Sequence, residues 1–119
     1  MTWTKIGLLL LFAVALAGGQ LLFKAAAQSI QGPLMLNLHT LRELILNPYL
    51  VLGLTIYGAA TLLWVLLLRD TELGKAYLAV ALALVLVPLA GTVVFHEPFS
   101  TRLLLGLMII LIGLGVALL

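Results

Sequence analysis

The chain has 119 residues, of which 65% are hydrophobic and only 8% charged, and its mean hydropathy is +1.32. A soluble domain of this size must cover its surface with polar groups, and too few exist here, so composition points to a bilayer as solvent. The net charge of +2 comes from scattered groups without a basic cluster, which excludes a nucleic-acid footprint, and the lack of cysteine excludes disulfide frameworks and thiolate metal sites.

A helix needs about twenty apolar residues to cross the hydrocarbon core, and lipid offers the backbone no other partner, which forces helices. Four stretches qualify, over residues 4–27, 49–68, 76–95 and 103–119, the last near the short limit. The predicted fold is an all-α membrane protein with a single domain of four transmembrane helices. In the first span, Lys5, the apolar run and Ala15-Leu16-Ala17 resemble a secretory signal peptide. The apolar run continues through Phe23 and no soluble domain follows, so an uncleaved span is expected. Gln20 and Lys24 are four residues apart and share one helix face. Lys24 is either a phosphate-binding cation or a lysine that snorkels to the interface from the helix end.

Between the first two spans, Leu34, Leu38, Leu41 and Ile45 recur at helical spacing while His39, Arg42 and Glu43 face elsewhere. That pattern suits an interfacial helix over residues 33–46; an irregular loop starting at Gly32-Pro33 is the other reading. Asn47-Pro48 then opens the second span with a proline whose missing N–H costs nothing at a helix start. Within that span Tyr57 and Trp64 are seven residues apart on one face, placed to line a groove. Arg69-Asp70-Thr71-Glu72 is a charged turn that cannot lie in lipid. Tyr77 begins the third span beside Lys75, and Pro88 within it is expected to kink the helix.

His96-Glu97-Pro98-Phe99-Ser100 ends the third span, and Ser100 is placed to cap the fourth. Glu97 and Arg102 form either an ion pair that shapes this turn or a pair of contacts to a zwitterionic head group. In the last span Gly106 and Gly113 repeat at heptad spacing, which marks a seam for close packing with another helix. No acidic residue falls within the first three spans, which argues against an intramembrane carboxylate of the kind that couples proton and cation exchange. Lys5, Arg69 and Lys75 lie on one side of the membrane and Lys24, Arg42 and Arg102 on the other, so the positive-inside rule gives no clear orientation. A four-helix chain encloses too little space to carry a substrate alone, so a transporter of this size is expected to be half of a machine.

The run Ala17-Gly18-Gly19-Gln20-Leu21-Leu22-Phe23-Lys24, the four spans and the glycines of the last helix resemble the small multidrug resistance fold of the drug/metabolite transporter superfamily. The resemblance covers nearly the whole chain. It implies a dimer whose fourth helices pack together and whose first three helices enclose the site. Tyr77 matches a site tyrosine of that family, but Leu16 stands where its drug exporters have a glutamate, and Val80 where they have a tryptophan. A narrower resemblance rests on Gly19-Gln20 with Lys24, on Gly74-Lys75-Ala76-Tyr77, and on His96-Glu97-Pro98-Phe99-Ser100-Thr101-Arg102. These stretches are similar to the subunits that flip undecaprenyl-phosphate-linked aminoarabinose.

The resemblance implies a bacterial inner-membrane flippase subunit that moves a polyprenyl-phosphate-linked amino sugar by alternating access. Its partner would be a second copy or a related four-helix chain. On that reading Lys24 and Arg102 hold the phosphate, Glu97 the amine or the turn, and Gln20 and Tyr77 the sugar hydroxyls, with Gly106 and Gly113 at the dimer interface. No cofactor, metal or covalent chemistry is expected, since no ligand spacing, phosphate-cradling glycine loop or nucleophile elbow is present. The alternatives are a small-molecule exporter of the same fold and a non-transporting accessory subunit.

Overall fold

The computed structural model describes residues 2–30 and 37–119. Among these residues the chain forms five helices: α1 Trp3–Ser29, α2 Leu38–Ile45, α3 Pro48–Asp70, α4 Leu73–Phe95 and α5 Thr101–Ala117. Helices α1, α3 and α4 are long and apolar enough to cross a membrane. Their 27, 23 and 23 residues rise about 35–40 Å, which exceeds a hydrocarbon core of about 30 Å. Helix α5 is shorter, and its 17 residues rise only about 26 Å.

The helix boundaries follow local chemistry. The Asn47 side chain accepts from the N–H groups of Tyr49 and Leu50 at 2.9 and 3.4 Å, and Pro48 occupies the first turn of α3. Ser100 accepts from Leu103 N–H at 3.1 Å and starts α5. Both satisfy amide donors that have no partner inside a helix. Helix α3 runs through Arg69 and Asp70, so the charged turn shrinks to Thr71-Glu72. Pro88 lies inside α4, which nevertheless continues as one helix to Phe95. Helix α2 occupies the later part of the amphipathic segment, capped by Asn37 accepting from Thr40 N–H at 2.9 Å, and Leu38, Leu41 and Ile45 are exposed on it. Gly32, Pro33 and Leu34 lie outside the described residues.

The packing runs opposite to that of a soluble protein. Small residues dominate the interior: Ala13, Ala17, Ala26, Ala60, Ala76, Ala79 and Ala83 are buried, as are Gly19, Gly53 and Gly91. Large side chains such as Leu62, Val93, Ile109 and Ile112 point outward. In lipid the aliphatic surface gains little from burial, so close backbone approach decides helix association. Helix α1 packs against both α3 and α4, and α5 packs on the outer side against α4. The result is a slab with extents of 50 × 37 × 21 Å, which at a helix diameter of about 10 Å is roughly two helices thick.

Helices α1 and α3 are antiparallel and tied at both ends. Lys5 Nζ donates to the Asp70 carbonyl at 2.7 Å, at the negative end of the α3 dipole. At the opposite end the Asn47 side-chain amide donates to Ser29 Oγ. Between them the two helices exchange aromatic rings into glycine gaps. The Tyr57 ring lies against Gly19, and the Phe23 ring against Gly53.

Candidate functional site

A groove runs along one side of the bundle, floored by α1 and α4 and edged by α3. Its outer chamber, about 230 Å³, is lined by Gln20, Leu21 and Lys24 of α1, by Val87, Gly91 and Phe95 of α4, and by Glu97. Its inner chamber, about 280 Å³, is lined by Leu16, Gln20, Tyr57, Val80, Ala83, Leu84, Val87 and Pro88. Gln20 and Val87 line both, so the chambers adjoin along the groove. The helical repeat explains the lining: Leu16, Gln20 and Lys24 are spaced by four on α1, and Val80, Leu84, Val87 and Gly91 by four or three on α4.

Glu97 reaches the groove through two backbone features. His96 ends α4 in the left-handed conformation, with φ 54° and ψ 35°, and turns the chain back over the helix it has just left. Gly91, on the last turns of α4, leaves space there. A Cβ at that position would stand 3.0 Å from Glu97 Oε1. The Glu97 carboxylate therefore lies over bare backbone and in the same chamber as Lys24. The two charges do not touch: among the described residues the one ion pair within 4.0 Å is His39–Glu43, at 3.1 Å. The chamber thus holds an ammonium and a carboxylate, each without a counter-ion within that distance among the described residues.

Gln20 stands between the chambers. Its amide donates to the Tyr57 hydroxyl at 2.5 Å, and the Tyr57 ring tilts against Phe23 with centroids 5.0 Å apart. Leu16 and Val80 line the inner chamber together, in one apolar space.

The structure brings together Gln20, Lys24 and Glu97 of the residues singled out from sequence. It does not bring Tyr77 or Arg102 into either chamber. Tyr77 packs edge-on against Trp64, centroids 5.7 Å apart, and Trp64 stacks on Phe12 at 4.7 Å. This aromatic cluster belongs to the end of the bundle opposite Lys24, and it takes Trp64 away from the groove that Tyr57 lines. Arg102 lies exposed in the first turn of α5, and no Glu97–Arg102 pair forms among the described residues. Ser100 caps α5 between them, and the helix carries Arg102 away from the turn. Gly91 and Val87 were missed by the sequence reading, although their helical register with Val80 and Leu84 was there to read.

A larger hollow of about 620 Å³ lies among the ends of α1, α2 and α3, lined by residues that include Ser29, His39, Arg42, Glu43 and Asn47. Its acid is already paired with His39, so the groove is the stronger candidate. Among the described residues no cluster of three or more metal-ligating side chains exists.

No family model and no solved structure matches the chain. Curated relatives do. It is 47% identical over 69 residues to a protein of Pseudomonas aeruginosa (strain LESB58), covering 58% of this chain and 60% of the relative. It is 36% identical over 95 residues to one from Pseudomonas syringae pv. syringae, covering 80% of this chain and 82% of the relative. It is 35% identical over 106 residues to one from Aeromonas hydrophila, covering 89% and 90%. Each is described as a probable 4-amino-4-deoxy-L-arabinose-phosphoundecaprenol flippase subunit ArnE. The chain belongs to the ArnE family. As an ArnE-family protein with three long apolar helices, it is a multi-pass protein of the bacterial inner membrane. The match to the P. aeruginosa relative spans less than two thirds of that ArnE protein's length.

Proposed function

We propose that this chain is a flippase subunit that moves a polyprenyl-phosphate-linked amino sugar across the inner membrane by alternating access. The observation that carries the reading is the outer chamber, where Lys24 and Glu97 face one space without pairing. Two opposite, separated charges suit a ligand with an anionic phosphate and a cationic amine, and a charge-assisted hydrogen bond to each is stronger than a neutral one. In this reading Lys24 holds the phosphate and Glu97 the amine, and Gln20 borders the phosphate on the side of the inner chamber. Arg102, on the helix that starts just after Glu97, meets the head group outside the chamber. Tyr77 keeps a packing role. The names of the ArnE relatives support the same substrate class.

The reading also takes α5 as a fourth span and a second subunit as partner. Gly106 and Gly113 are exposed on α5, and a Cβ at either would meet nothing within 4 Å. That bare strip is suited to the close approach of another helix. The groove is open along one side, and a second copy or a related chain packed beside it would close the pathway.

The test is a flipping assay in proteoliposomes. The lipid-linked amino sugar is scored by its reactivity with an amine reagent that cannot cross the membrane. Lys24→Gln and Glu97→Gln are each expected to slow transfer at least tenfold, with normal insertion and yield. Undiminished transfer in the stably inserted double variant rejects this site.

A further inference from the structure

We infer that the inner chamber binds the first isoprene units of the polyprenyl chain, so that the groove holds the lipid in the order tail, phosphate, amino sugar. This rests on the flippase reading and assigns the part of the groove that the head group does not use.

The inner chamber offers a ligand no charge. The polar side-chain atoms in its lining are those of Gln20 and Tyr57, and these bond to each other. A sugar placed there would leave most of its hydroxyls without partners, and a phosphate would be stripped of water with no cation to replace it. An apolar chain incurs neither cost. Leu16, Val80 and Leu84 present it with aliphatic side chains in a space of about 280 Å³.

The sequence of surfaces along the groove settles the direction. From Leu16 and Val80 the lining passes to Gln20 and Val87, and then to the chamber that Lys24 and Glu97 share. The lipid passes from isoprene to phosphate to the amine-bearing sugar. Groove and lipid both pass from apolar to charged, and reversing the lipid would set a tail against two charges. From Pro88 back to Val80 on α4 is eight residues, a rise of about 12 Å and room for the first isoprene units. Gln20, held by Tyr57, stands where tail gives way to phosphate.

The experiment uses the full-length chain in lipid nanodiscs and two probes. One is a sugar-free polyprenyl phosphate with a diazirine on its second isoprene unit. The other is a water-soluble amino-sugar phosphate, read by its protection of Lys24 from acylation. Photolabel is expected on the peptides that carry Leu16, Val80 and Leu84. Leu84→Trp is expected to lower labelling at least tenfold without changing protection of Lys24. Val93→Trp, at an exposed α4 position outside both chambers, is expected to label as the parent does. Mapping in the parent chain does not depend on any variant folding. If the soluble probe protects Lys24 but the label maps outside the groove, the tail assignment is overturned while the flippase reading stands. If the soluble probe gives no protection and the lipid no specific label, the flippase reading falls, and the assignment falls with it.

Discussion

A methyl group at Gly91 would press on the end of a flexible side chain and not on backbone. The Glu97 carboxylate, 3.0 Å from that added carbon, can swing away at little steric cost. Gly91→Ala is therefore expected to leave stability nearly unchanged but to move the carboxylate off its bearing. The amine-bearing lipid should lose affinity several-fold, while a lipid with an uncharged sugar keeps its own, as competition binding would record. Gly19 behaves differently. A Cβ there falls 2.5 Å from Tyr57 Cε2, a ring atom wedged against Phe23. Gly19→Ala is expected to cost about 1–3 kcal/mol through overpacking, readable as earlier unfolding in a denaturing-detergent titration. His96 pairs an unusual backbone with a side chain that does not require it. His96→Gly should be tolerated, and His96→Val should cost about 1–2 kcal/mol because a left-handed backbone crowds its Cβ.

Helix starts were legible because the forces that set them are local. Asn47 and Ser100 cap the helices they precede, as a short polar side chain before an apolar run implies. Asn47→Ala removes that cap and the link to Ser29 together. It is expected to destabilise the α1–α3 pair by about 1–2 kcal/mol, the loss of a cap and one hydrogen bond, measured in the same titration. The shared face of Gln20 and Lys24 follows from their spacing alone. What the sequence could not show was which neighbour each face would meet. Tyr57 and Trp64 both turn toward α1, yet one finds Gln20 and the other Phe12. Tyr77 closes on Trp64 and not on the groove. The Gln20–Tyr57 bond joins residues 37 apart, and no local rule requires a histidine to turn left-handed so that the acid after it folds back.

At the scale of the whole molecule, the slab leaves its groove open and its α5 glycines uncovered. If another subunit covers them, a bulky side chain on that strip should separate the two without unfolding either. Gly113→Leu is expected to shift a cross-linked dimer toward monomer and to abolish transfer. It should leave the α-helical content and Lys24 protection of the single chain unaltered. Unchanged cross-linking in that variant would place the partner elsewhere.

The ties between α1 and α3 bear on how such a machine can move. Lys5 to Asp70, Gln20 to Tyr57 and Asn47 to Ser29 fasten that pair at bottom, middle and top. Among the described residues, no side-chain hydrogen bond crosses from this pair to α4 or α5; α4 packs chiefly against α1, and α5 against α4. A load applied to the bundle would therefore shear it along the seam between the strut and the sliding helices. The groove lies on that seam, with Lys24 on its α1 wall and Gly91 on its α4 wall.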